Sequence, residues 1–238
     1  MPRGFSRAAV AGAAVALTCT LAACDLGADD PDDAPAREEP GPTLAEGPPP
    51  ADWQDVPSAT GLVYSVPPDW EVGDPWGEPG PDASSDWGSG FVTTANAIAE
   101  RGYCPTADLS FRLLSGITGT LPGDARDQAV SASRAMADSI DRRFTERGAD
   151  TAVPDPTKIG VSGVPAWHVS VRGQVRPPRN ECTPPVIRVD TIAVSTRTPA
   201  GDPASVVFVL MTDEDEPGVL DTSTVDAVVA SLRYENTV

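Results

Sequence analysis

Between Asp25 and Ala59 the chain carries almost no large apolar side chain, only a dense mixture of Asp, Glu, Pro, Ala and Gly. A stretch of that composition cannot bury enough surface to offset the entropy of ordering it. The sequence therefore predicts a disordered, self-repelling tether over residues 24–60 and confines folding to residues 61–238, a length suited to one domain with its own core.

In front of this tract the grammar is that of export. Arg3 and Arg7 precede an apolar run from Ala8 to Leu17 that is too short for a bilayer, which needs about 20 apolar residues. Leu21, Ala22, Ala23 and Cys24 follow, and this quartet resembles a bacterial lipobox. The resemblance implies that residues 1–23 form a signal peptide and that Cys24 becomes a lipid-bearing N-terminus. The alternative is an ordinary secretory signal cleaved at a small-residue site. Two or three acyl chains, at about 0.8 kcal/mol per buried CH₂, would hold the protein at the outer face of a cell membrane.

Cysteine and charge usage fit that address. With Cys19 in the signal and Cys24 lipidated, Cys104 and Cys182 are left as a pair, expected to form a disulfide in an oxidising exterior. A metal or redox role for them lacks both the C-x-x-C spacing and the histidines to complete a site. The 17 Lys and Arg against 35 Asp and Glu leave no basic stripe, so nucleic acid is not an expected partner. Lys158 is the only lysine, and this Arg and Ala bias points to a GC-rich genome.

Within the domain, periods of two and of 3.6 alternate. Strands are predicted over 61–66, 91–98, 109–114, 186–196 and 205–211, the last apolar without interruption, as in a strand buried on both faces. Trp70 is expected to be buried just after Pro67 and Pro68. Asp124 offers a helix N-cap with Asp127 at N3 and Gly148 as the stop, and Val130, Ser133, Ala137, Ile140 and Phe144 form the stripe to be buried. Lys158–Ser162 and Ala166–Arg172 read as a hairpin turning at Gly163, Val164 and Pro165, with Trp167, Val169 and Val171 inward and His168, Ser170 and Arg172 outward. A last helix from Asp221 or Thr222 carries Val225, Val228, Val229 and Leu232. Strands, helix, strands, helix in that order predict an α+β domain: an antiparallel sheet with packed helices.

Several short runs carry a family resemblance: Val66 to Trp70, Tyr103-Cys104-Pro105, Val161 to Ala166, Cys182-Thr183-Pro184 and the closing Ser231-Leu232-Arg233. In these the chain resembles an uncharacterised family of actinobacterial secreted and lipid-anchored proteins, similar in outline to LpqN/LpqT-type lipoproteins. The resemblance implies a Mog1/PsbP-like fold and an envelope address, and brings no catalytic residue with it.

Motifs for chemistry are sparse. His168 is the only histidine, and its place on an outward strand face reads as an ordinary exposed side chain. Gly160 to Gly163 misses the nucleophile-elbow pattern, and the glycines around Gly116 and Gly119 lack dinucleotide-loop spacing. Asp213 to Glu216 lacks the spaced ligands of a calcium loop and reads as a solvated turn. No catalytic residue, metal site or cofactor is assigned. Trp76 and Trp87, set among Gly, Pro and Asp, are candidate ligand contacts that stack on a sugar, or else cap the sheet. The expected function is a lipid-anchored, non-catalytic binding module of the cell envelope, meeting a membrane through its anchor and an envelope protein or cell-wall ligand through its domain. The alternatives are a small-molecule or lipid carrier and an envelope hydrolase.

Overall fold

The computed structural model describes residues 48–73, 85–86, 91–107, 110–144, 151–175, 181–215 and 218–235. Cys24, Trp76, Trp87, Gly148, the residues expected to form a signal peptide and most of those expected to form a tether lie outside the described residues. In chain order the elements are β1 (Gln54–Pro57), β2 (Leu62–Val66), β3 (Glu71–Val72), β4 (Ser85–Asp86), β5 (Val92–Ala99), β6 (Leu113–Thr118), β7 (Leu121–Pro122) and α1 (Ala125–Phe144). There follow β8 (Thr157–Val161), β9 (Val164–Gln174), β10 (Val186–Arg197), β11 (Pro203–Glu214), α2 (Thr222–Ala230) and β12 (Arg233–Tyr234).

One large sheet runs β3-β5-β6-β11-β10-β9-β8, with β4 added to β5 and β7 to β11, and a small sheet runs β1-β2-β12. Every pairing is antiparallel. The α+β class is thus as expected, and the two helices take opposite faces of the large sheet. On one face α1 seats Ala129, Ala132, Met136 and Ile140 against Val169, Val171, Val189 and Val209. On the other, β2 and α2 bring Tyr64, Val66, Val225, Val228 and Val229 against Ile192, Phe208 and Leu210. The central strand β11 is buried from Ala204 through Leu210, as its unbroken apolar run requires.

Several boundaries depart from expectation. Strand β1 lies inside the stretch assigned to the tether: Val56 is fully buried and Trp53 packs on the same core, so the domain begins before residue 60. The strand expected over 109–114 is instead Leu113–Thr118, because Ser110 turns back to accept from the Cys104 backbone N–H at 2.9 Å and holds the chain as a loop. The α1 stripe is shifted. Asp124 is the cap, accepting from the Arg126 backbone N–H at 2.8 Å, but Ala125, Ala129, Ala132 and Met136 join Ser133, Ala137 and Ile140 inside, and Val130 is left half-buried on the flank. Small alanines let the helix sit close to the sheet, a signal a stripe of large residues alone misses.

The hairpin is tighter than expected. Val161 pairs with Val164, leaving Ser162 and Gly163 as a two-residue turn with φ of 48° and 76°, the positive-φ pair that matches strand twist. Pro165 therefore belongs to β9, opposite Gly160.

A second backbone device lies in β5. Its register with β6 shifts between Thr94 and Ala97, with Ala95 at φ 49°, and the bulge turns Asn96 inward to accept from the Thr93 hydroxyl at 2.6 Å. Gly116 of β6 makes room for that pair. A Cβ at Gly116 would stand 2.6 Å from Thr93 Oγ1 and closer still to Asn96 Oδ1. Gly116→Ala should lower stability by about 1–3 kcal/mol through overpacking, read from the urea midpoint, whereas Gly119→Ala, whose Cβ meets nothing, should leave it nearly unchanged.

Cys104 and Cys182 are joined as a disulfide, with Cα atoms 5.7 Å apart, across a separation of 78 residues. It fastens the loop after β5 to the segment leading into β10, and the Tyr103 hydroxyl donates to the Cys182 carbonyl at 2.8 Å beside it. Closing a loop of this length is worth roughly 4–5 kcal/mol in the chain-entropy picture. Replacing both cysteines by Ser should lower the denaturation midpoint by an amount of the order of 2–5 kcal/mol, and reductant should produce the same shift in the native chain and none in the variant.

Candidate functional site

The densest polar chemistry among the described residues sits where β9, β10, β11 and α2 meet. Period-two alternation puts Arg188 and Asp190 of β10 on the α2 side of the sheet, and cross-strand register sets Arg172 opposite Arg188 and Ser170 opposite Asp190. The resulting string alternates in sign. Arg172 Nε donates to Glu214 at 2.8 Å, and Arg188 Nη1 stands 3.9 Å from the same carboxylate and 2.9 Å from Asp226 of α2. Arg188 Nε meets Asp190 Oδ2 at 2.6 Å, and Asp190 Oδ1 accepts from His168 Nε2 at 2.8 Å.

Two expectations are corrected here. His168 is not an ordinary exposed histidine: only 22% of its side chain is accessible, and it is bonded to a carboxylate with no exposure at all. The acidic run from Asp213 is a solvated turn only in part: Asp215 is exposed in a bend and Glu216 lies outside the described residues. Asp213 and Glu214 finish β11, paired with Arg112 at 3.4 Å and with Arg172 respectively. Asp190 itself had no sequence signal beyond standing two residues from Arg188 in the apolar first half of its strand. That spacing places the two on one face, and His168 lies one strand away on the same face.

The electrostatics follow from burial and pairing. Burial alone would raise the Asp190 carboxyl, but the His168 hydrogen bond and the Arg188 charge outweigh it and hold the group below the ordinary aspartate range. Burial works against the Arg188 charge as well, and the Asp190 and Asp226 carboxylates more than compensate. With the carboxylate as acceptor, His168 Nε2 carries the hydrogen of this bond. For acyl transfer that imidazole must reach a hydroxyl. Ser170 shares the face, but it stands two residues along the strand, about 7 Å away, and no hydrogen bond joins it to His168. The arrangement orders β9, β10 and α2 around a buried pair of charges. No group of three or more acidic, His or Cys side chains among the described residues is placed to hold a metal ion.

Three surface grooves accompany this network. One of about 280 Å³ opens beside Arg172, Glu214 and Leu220, and one of about 310 Å³ lies between Asp124, Pro165 and Arg197. The largest, about 430 Å³, runs between the flank of α1, with Arg126, Asp127, Val130, Ser131 and Arg134, and the segment from Val153 to Pro156. All three open at the molecular surface, and buried apolar side chains of two clusters lie between the sheet and the helices. No helix among the described residues is long and apolar enough to cross a membrane.

These features define a disulfide-fastened α+β sheet domain with an internal ion-pair network and open surface grooves. The chain belongs to the family of the domain of unknown function DUF8017, whose model matches residues 46–236, a span that includes β1. No curated protein matches the sequence. Among solved structures the chain is similar to LpqN of Mycobacterium tuberculosis, described as involved in cell envelope biogenesis, at 13% identity and a TM-score of 0.40, over 75% of this chain and 87% of that one.

Asp190→Asn should destabilise the domain by about 3–5 kcal/mol at pH 7, because it strips Arg188 of a buried counter-charge. A carboxyl held low in the folded state stabilises above its unfolded value of about 3.9, and that contribution is lost as pH falls through the folded value beneath it. The stability difference between native and variant chains, measured by urea titration from pH 7 down to pH 3, should therefore narrow below about pH 4.

Proposed function

We propose that the protein is anchored by lipid at Cys24 to the outer face of a cell membrane and that its domain is a non-catalytic binding module of the cell envelope. The observation that carries this reading is the state of its only histidine. Among the described residues His168 is tied to a buried carboxylate within a network of ion pairs and makes no hydrogen bond to a hydroxyl, while the accessible features described are grooves. A carrier would need an apolar chamber between sheet and helices, where the structure instead has packed side chains such as Phe208, Ile192 and Val228. The envelope address rests on the lipobox-like quartet and the Cys104–Cys182 disulfide, which suits an oxidising compartment. The Mog1/PsbP-like arrangement belongs to the same proposal and is supported by a single large antiparallel sheet with a helix on each face. Trp76 and Trp87 remain the proposed contacts for a cell-wall glycan.

Crosslinking in intact cells, followed by recovery of the full chain, tests this reading. The native protein should fractionate with membranes, take up labelled fatty acid and retain a specific envelope partner. Cys24→Ala should lose the label, move to the soluble fraction and lose the partner. A native chain that is unlabelled and soluble would remove the anchor, and a membrane-bound chain with no crosslinked partner would remove the binding module. Trp76→Ala with Trp87→Ala should reduce glycan pull-down while leaving the melting curve in place.

A further inference from the structure

Arginine is accounted for almost everywhere in the described residues. Arg101 pairs with Glu71, Arg112 with Asp213, Arg172 with Glu214, Arg188 with Asp190 and Arg233 with Asp55, while Arg197 donates to the Gly201 carbonyl. Arg126 and Arg134 stand apart: among the described residues neither side chain forms an ion pair or a hydrogen bond, and both line the 430 Å³ groove. In a chain of net charge −18, two guanidinium groups that share one groove with Asp127 and Asp155 and yet form no ion pair with them are a specific arrangement.

We propose that this groove binds an extended acidic peptide whose carboxylates stand four residues apart, an inference that rests on the binding-module reading and gives that module its ligand class. The spacing comes from the helix. Arg126, Val130 and Arg134 follow one another at i, i+4 and i+8 along one flank, so the two arginines are rooted about 12 Å apart at 1.5 Å per residue. An extended chain rises about 3.3 Å per residue and repeats its facing every two, so side chains at i and i+4 lie on one face about 13 Å apart. Each guanidinium presents the planar fork that suits a carboxylate. Between them Val130 faces Val153, Pro154 and Pro156, an apolar strip for the intervening residues. The prolines offer no backbone N–H, so the ligand is held by its side chains rather than added to the fold as a strand. The Arg126 guanidinium lies 5.7 Å from the centroid of the Trp167 ring, which steadies the sheet-side end of the groove.

Asp127 and Asp155 also line the groove, and they select among anions. A polymer with a phosphate at every repeat would run its charges past both carboxylates. A peptide with two carboxylates places its charge only at the arginines and can offer backbone N–H groups to Asp127, Ser131 and Asp155.

Pools of fluorescent nonapeptides with two glutamates four positions apart, and Ala, Val or Pro between, would be titrated against the immobilised full chain. The comparison pools carry glutamine in place of both glutamates, or glutamates only two positions apart, and glycerol-phosphate oligomers are the competing polyanion. The pool with the four-residue spacing should bind best. Arg126→Gln and Arg134→Gln should each weaken it about tenfold, with the melting curve unchanged in Arg134→Gln and lowered only by the loss of the exposed Trp167 contact in Arg126→Gln. Absence of binding by that pool, binding indifferent to the two substitutions, or preference for the glycerol-phosphate oligomers would overturn the proposal. Crosslinking in cells separates this failure from a deeper one. A double variant that keeps the native chain's partner overturns the groove assignment and leaves the binding module standing, whereas a native chain without any partner overturns both.

Discussion

The pairing of β10 with β11 is the interaction from which the rest of the domain is built. Twelve residues of each strand face one another from Val186 and Glu214 to Arg197 and Pro203, and eight of the twelve are buried in each strand. Each strand then serves two cores at once. Val189 and Val209 point to α1, while Ile192 and Phe208 point to β2 and α2. A slip of one residue would exchange these sets and drive Asp190 into the apolar layer beneath α1, so the register is specified from both faces.

That same register explains why a charged string is tolerated inside the fold. Arg188 and Asp190 each face away from α1, and every member of the string has an opposite charge or a hydrogen-bond partner supplied by a different element: His168 from β9, Glu214 from β11 and Asp226 from α2. Desolvation makes such a pair a poor source of net stability compared with apolar packing. Its effect is selective. Only the docking of α2 that puts Asp226 within reach of Arg188 satisfies the guanidinium, and Ser231 closes the other end of the helix by accepting from the Ser65 backbone N–H at 2.8 Å. Apolar contacts alone would leave the short helix freer to slide over β2.

Much of this architecture was legible in the residues because it rests on local periodicity. The uninterrupted run in β11, the alternation in β9, the Asp124 and Asp221 caps and the two remaining cysteines each carried their own physical signal. What was not legible depends on partners distant in sequence. Nothing near His168 says that Asp190 will stand across from it, and nothing in Asp213 and Glu214 says that Arg112 and Arg172 will take them out of solvent. Strand β1 was hidden for a related reason: a single buried Val56 and a Trp53 in a polar, proline-rich setting make sense only once β2 supplies the ladder. The β5 bulge, too, needs Gly116 on the neighbouring strand to make room for Asn96.

The distribution of paired and unpaired charge separates scaffold from surface more sharply than composition does. Where Arg188, Arg112 and Arg233 meet acids, the elements they join are those whose relative placement the fold must fix: α2 on the sheet, the β5–β6 loop on β11, and β12 on β1 and β2. Among the described residues Arg126 and Arg134 meet no acid, the first touching only the Trp167 ring of β9, and the hold of α1 on the sheet comes from Ala129, Ala132, Met136 and Ile140. Desolvating an unpaired guanidinium would be costly, so these two remain in solvent, where the open groove beside them leaves their donors available to a ligand. In a protein this acidic, an uncommitted cation is the scarcer resource, and among its described side chains α1 presents two of them on one flank.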